Sequence, residues 1–175
     1  MTDHVILVDT NDREIGTMAK MEAHIEGLLH RAFSVFIFNT KGELLLQRRA
    51  FEKYHSGGKW TNTCCSHPRP GEALMDAAQR RLQEEMGFTT GLIKAFDFIY
   101  KAPYDNGLTE YEFDHVLVGT YTGKIVPNKD EVADFCFKSM EEIKDSLQSH
   151  ASKYTAWFKI AFPKLETYLL AEKEH

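Results

Sequence analysis

The chain is sparing with thiols: it has only three cysteines in 175 residues, and two of them, Cys64 and Cys65, are adjacent. An odd count with vicinal thiols argues against a disulfide framework and for a reducing compartment. Long apolar runs are missing too; none approaches the roughly 18–20 residues that span a bilayer. The opening Met1-Thr2-Asp3-His4 has neither the basic start nor the apolar stretch of an export signal, so the cytoplasm is the expected location. Positive charge is in deficit, with 21 Lys and Arg against 26 Asp and Glu and a formal net charge of -5. That argues against a generally basic nucleic-acid binder, yet leaves room for a local basic pocket that takes a phosphorylated small molecule. No repeat, linker or low-complexity tract divides the chain. At about 100–200 residues per domain, residues 1–175 are expected to form a single domain.

What is present alternates strand-like and helical patterns. Val5 to Val8 is apolar, and Asn11-Asp12 reads as a turn before Ile15 to Met18. Ala32 to Phe38 is β-branched and aromatic; Asn39-Thr40-Lys41-Gly42 reads as a hairpin turn and Glu43 to Gln47 as the returning strand. From Glu72 to Met86 the spacing of Leu74, Ala77, Ala78 and Leu82 becomes helical, and Gly87 reads as the stop. Strands are expected again over Phe96 to Tyr100, Glu112 to Tyr121 and Val132 to Phe137. Two helices are expected last, Met140 to Leu147 and Lys153 to Leu170, with Pro163 kinking or breaking the second. The order implies an α+β chain or an α/β/α sandwich.

Trp60-Thr61-Asn62-Thr63-Cys64-Cys65-Ser66-His67-Pro68 is the most informative stretch. On an extended chain, Cys65 and His67 share a face. A tuned thiol moves protons or attacks, and an imidazole binds metal; a buried structural cysteine beside a turn histidine fits as well. Glu110-Tyr111-Glu112 places two carboxylates on one face of a strand, where they repel unless a cation or proton lies between them. A solvated strand edge is the plainer account. His24 and His30 each read alone as surface residues. Taken together, three histidines and two glutamates have the composition of a nitrogen/oxygen site for Zn²⁺ or Mn²⁺, although their spacing alone does not establish one. Without a Cys-x-x-Cys pair, a thiolate zinc site is not expected. On the central helix, Arg80 with Glu84 and Arg81 with Glu85 read as i,i+4 ion pairs on a solvated face. Arg48, Arg49 and Lys53, with Lys20 near His24, form a basic set that either cradles a diphosphate or stays solvated.

Glu72 through Gly87 resembles a Nudix box, with Ser66 where the leading glycine is expected and Arg81 in place of the first glutamate of the core. Loss of that metal-binding carboxylate weakens the case for diphosphate hydrolysis. His30 through Phe36 and Trp60 through Pro68 resemble the type I isopentenyl-diphosphate isomerases, and the likeness runs from about Lys20 to Trp157. Against that family, the His24–His30 connection is short and Gly57 replaces a proline before Gly58.

The resemblance implies a Nudix-like α/β/α sandwich with a mixed sheet and extra terminal elements. It implies that His24, His30, His67, Glu110 and Glu112 bind one divalent metal (Zn, Mn or Mg). Cys65 and Glu112 would be the proton-transfer pair, with Tyr100 beside Glu112 and Trp157 offering its π face to a carbocation. Lys20, Arg49, Lys53 and Arg81 would bind the diphosphate of a small isoprenoid. Glu85, with the Cys65 carbonyl, would hold a second ion, Mg²⁺, against that diphosphate. The implied reaction is a 1,3-allylic proton shift, with Glu112 as acid and Cys65 as base in the direction from isopentenyl to dimethylallyl diphosphate. A Nudix hydrolase and an inactive diphosphate-binding module are the alternatives. No nucleic-acid or membrane partner is expected, and a monomer or homodimer is. Cys64 and Cys136 receive no role beyond packing.

Overall fold

The near-continuous apolar, β-branched run after Leu29 builds the central strand of the fold, buried on both faces. The computed structural model describes residues 3–53 and 55–173; Met1 and Thr2 of the N-terminal reading lie outside the described residues. The elements are β1 (His4–Val8), β2 (Glu14–Ala19), α1 (Lys20–Glu26), β3 (His30–Phe38), β4 (Leu44–Arg49), β5 (Trp60–Thr61) and β6 (Cys64–Ser66). They continue with α2 (Leu74–Met86), β7 (Ile93–Pro103), β8 (Thr109–Thr120), β9 (Val132–Lys138), α3 (Met140–Ser149), a 3-10 turn at Ala151–Lys153 and α4 (Ala156–Lys173). All nine strands belong to one sheet. β3 pairs antiparallel with β1, β4 and β6 and parallel with β8, so the sheet is mixed. β7 completes the β8 side, and β5 and β9 pair with β4.

Successive β3 side chains serve opposite faces. Phe33, Val35 and Ile37 pack with Ala77, Ala78, Leu82 and Met86 of α2. Phe36 packs the other way, with Leu44, Leu46, Ile143 of α3 and Phe158, Phe162 and Leu165 of α4. This is the expected α/β/α sandwich. Among the described residues, no helix is long and apolar enough to cross a membrane.

Three differences from the sequence reading have physical causes. The seven-residue α1 was not expected; it buries only Ala23 and His24, too little for a periodic pattern, and ends on the left-handed Gly27 at φ 67°. The second C-terminal helix starts at Ala156, after the 3-10 turn. It also runs through Pro163 without a break. Pro163 and Lys159, whose carbonyl loses its partner, both face solvent. Trp157, Phe158, Ala161, Phe162 and Leu165 meanwhile hold the opposite face in the core. At about 1.5–3 kcal/mol per large buried side chain, that burial outweighs the roughly 3 kcal/mol an interior proline costs.

Candidate active site

The site is assembled by strand register. β3 and β8 run parallel with His30 opposite Glu112, and β7 places Tyr100 opposite the same glutamate. β6 lies along the other edge of β3, with Cys65 opposite Ser34. Cys65 and Glu112 therefore line one cleft.

The histidines arrive with their tautomers set. His24 Nδ1–H donates to the Lys20 carbonyl at 2.7 Å, and His30 Nδ1–H to that of Leu28 at 2.9 Å. Each then turns an Nε2 lone pair inward, the arrangement of a metal-ligating imidazole. His30 Nε2 lies 3.2 Å from His67 Nε2, and these nitrogens lie 3.4 and 2.6 Å from Glu112 Oε2. Acceptors converging so closely require a cation or protons between them. Ligand atoms of His24, His30 and His67 lie within 4.8 Å of one another, as do those of His67, Glu110 and Glu112 and those of His24, His55 and Glu110. The donor set thus fits a divalent ion of nitrogen/oxygen preference.

The carboxylates differ in charge. Burial raises Glu110 well above the usual carboxylate range, and the Glu112 charge adds to this. Burial also works against ionised Glu112, but the His30 and His67 imidazoles beside it outweigh this and hold the carboxyl well below that range. Tyr100 donates its hydroxyl to Glu112 Oε1 at 2.5 Å. Burial lowers His67 to about 4, so its imidazole is neutral near pH 7.

Cys65 Sγ lies 3.0 Å from Asn62 Oδ1 and accepts the Trp157 Nε1–H at 3.0 Å. Burial, then the nearby Asp114 carboxyl, push the thiol far above its ordinary range. Asn62 is oriented by donating Nδ2–H to the Val35 and Cys64 carbonyls at 3.0 Å each. Cys64 turns to the opposite layer, where its thiol donates to Glu85 Oε2 at 3.2 Å.

The NUDIX domain family model matches residues 28–158. The chain is 48% identical over 169 residues to the isopentenyl-diphosphate Delta-isomerase of Pectobacterium atrosepticum, covering 97% of this chain and 94% of that protein. It is 51% identical over 158 residues to the enzyme of that name from Burkholderia multivorans, with 90% of each covered. The chain belongs to the NUDIX family, among the isopentenyl-diphosphate Delta-isomerases. A crystal structure from Deinococcus radiodurans shares the fold with a TM-score of 0.77 at 14% identity, covering 93% of this chain and 98% of that one. A MutT protein from Methanosarcina mazei Go1 does so at 0.66 and 22%, over 79% of this chain and 94% of that one.

In this NUDIX chain the helix α2 turns two residues into the cleft. Arg81 lies 3.1 Å from Glu85 and 3.3 Å from Glu131, half-buried rather than on the solvated face expected of it. Burial opposes the Arg81 charge, but Glu85 and Glu131 outweigh it and raise its pKa. Arg80, also half-buried, pairs instead with Glu72 and Glu84. Lys20, Arg49 and Lys53 line the same cleft, and Lys53 pairs with Glu131. Burial and the neighbouring Lys53 charge lower Lys20, as expected of cations gathered for an anion. Arg48, grouped with them in the sequence, turns away, donating to the Gly58 carbonyl at 2.9 Å and covering Phe51.

The sequence reading missed Glu131, Asp114 and His55. Glu131 lies in a loop before β9. Asp114 continues the Glu110, Glu112 face and accepts the Ser34 hydroxyl at 2.7 Å, so the period-two rule could have found it. His55 sits in a loop with no sequence periodicity to reveal it.

Proposed function

We propose that the protein interconverts isopentenyl and dimethylallyl diphosphate by a 1,3-allylic proton shift, with Cys65 and Glu112 as the proton-transfer pair. The observation that carries this reading is that the Cys65 sulfur and the Glu112 carboxyl line one cleft together with Trp157. Their family's name supplies the substrate. His24, His30, His67, Glu110 and Glu112 would hold one divalent ion (Zn, Mn or Mg), and Glu85 with the Cys65 carbonyl would engage Mg²⁺ brought with the diphosphate. When bound, the first ion supplies Lewis acidity that strengthens the carboxyl it shares.

In the isopentenyl-to-dimethylallyl direction Glu112 adds a proton to the terminal alkene carbon, leaving a tertiary carbocation. Cys65 then removes a proton from the carbon next to the diphosphate-bearing one. In the reverse direction the two groups exchange roles, as microscopic reversibility requires of a pair that trades one proton. Lys20, Arg49, Lys53 and Arg81 hold the diphosphate by charge-assisted hydrogen bonds. The Trp157 face stabilises the cation by about 2 kcal/mol without attacking it, and the cation must be kept from water, which would trap it as an alcohol. The three cysteines are free thiols, which supports a cytoplasmic setting.

Turnover in D₂O followed by NMR tests the reading. Deuterium entering the allylic skeleton with the diphosphate intact supports it. Release of inorganic phosphate or a monophosphate would show a hydrolase, and Cys65→Ser with near-normal turnover would remove the thiol from the mechanism.

A further inference from the structure

His55 is the buried imidazole of the cleft that the reaction above does not use. It reaches the site from the loop between β4 and β5, where the backbone turns on glycine. A Cβ at Gly57 would lie 2.6 Å from the Phe51 carbonyl oxygen, a distance no side chain tolerates, and Gly58 adopts φ 77°. The Gly58 N–H closes the loop on the Arg49 carbonyl at 3.0 Å. Where the isomerase pattern expects a proline, Gly57 is thus what lets the loop fold against Phe51 and carry His55 inward.

Once there, His55 Nε2 lies 3.3 Å from Glu110 Oε2, the same oxygen that accepts the Tyr104 hydroxyl at 2.8 Å. The imidazole stacks on the Tyr104 ring at 4.6 Å and 5°, and meets Trp157 edge-on at 5.9 Å. Ser56 Oγ lies 3.4 Å from His55 Nδ1; with its proton directed there, Nε2 carries the N–H that points at Glu110.

We propose that His55 is a positioning residue of the metal centre: with Tyr104 it holds the outer oxygen of Glu110, leaving the other oxygen for the cation. This deepens the metal-site reading given above and rests on it. Outer donors of this kind orient a ligand and set its affinity.

Titration of the full-length protein with Mn²⁺, read by EPR of the free ion, tests it. His55→Ala is expected to weaken binding about 10–100-fold, the usual cost of losing such a partner. His55→Gln, which keeps an N–H donor, recovers most of that loss. Tyr104→Phe, which removes the second donor and leaves the loop in place, weakens binding in the same direction. Pulsed EPR of bound Mn²⁺ shows three coordinated imidazoles in the wild type and in His55→Gln. Unchanged affinity in His55→Ala and Tyr104→Phe overturns the proposal. So do four imidazoles in the wild type that fall to three in His55→Gln, which would make His55 a ligand. A wild type that binds no Mn²⁺ through imidazole overturns the metal-site reading itself, and the proposal with it.

Discussion

Trp157 donates its indole N–H to the Cys65 sulfur at 3.0 Å, so the first turn of α4 is joined directly to the short strand β6. The helix that closes one layer of the sandwich also fixes the direction of the thiol. The Arg49 guanidinium lies over the indole ring, 5.2 Å from its centre, and marks that face as one that accepts positive charge.

Removing the N–H and removing the ring should therefore have separable effects. Trp157→Phe keeps a π face and loses the hydrogen bond, and kcat is expected to fall about tenfold. Trp157→Ala loses the face too and should fall about thirtyfold further, the rate equivalent of a ~2 kcal/mol cation–π contact. Steady-state kinetics of the two variants check this; equal losses would mean the ring contributes nothing at the transition state.

Metal removal should abolish turnover and leave a folded chain. Chelated protein is expected to be inactive, and divalent ions added back one at a time should restore it. Because the ion binds the folded state, saturating it at about 100 times its dissociation constant adds about 2.7 kcal/mol of stability, readable as a higher Tm. His67→Ala should lose both effects, since its Nε2 lies 3.2 Å from that of His30 and 2.6 Å from Glu112.

Arg81 stands where the family's box has a glutamate, between Glu85 and Glu131. Arg81→Glu would gather three carboxylates where the proposed diphosphate site lies. Loss of a charge-assisted contact predicts a KM increase of about 10–100-fold, with kcat changed less and no phosphate released. Appearance of diphosphate hydrolysis in this variant would show that the residue alone separates the two chemistries.

Glu72 is one contributor to acid sensitivity outside the cleft. Hydrogen bonds from Arg80 depress the Glu72 pKa, with burial opposing and the Arg69 N–H assisting. A depressed folded value stabilises above the unfolded pKa and is lost as pH falls through the folded one. Glu72→Gln should therefore cost about 0.5–1 kcal/mol near pH 7, and the difference should shrink to nothing once pH falls below the folded value. Urea melts of both proteins across that range check the sign.

The fold was largely legible because its strands are β-branched and aromatic runs bounded by turn residues and α2 carries period 3.6. Cys65, His67, Glu110 and Glu112 were legible because each pair sits two apart on extended chain, and the structure turns each pair into one cleft. The resemblance supplied His24 and His30, whose spacing says nothing of the carbonyls that orient them. What could not be read depends on contacts distant in sequence. Glu131 matters because it meets Lys53 and Arg81, and His55 because a glycine lets its loop fold inward. Pro163 was misread because local propensity carries no information about which side of a helix faces water.

Cys64 and Cys65 are neighbours whose sulfurs open onto different layers, one against Glu85 and the other beneath Trp157. An oxidant entering the cleft meets the second thiol while the first lies across the sheet and cannot reach it. Any sulfenic acid formed at Cys65 would therefore find no resolving partner in Cys64. Adjacent thiols usually suggest a redox buffer, but across a sheet they leave the reacting sulfur without protection from its neighbour.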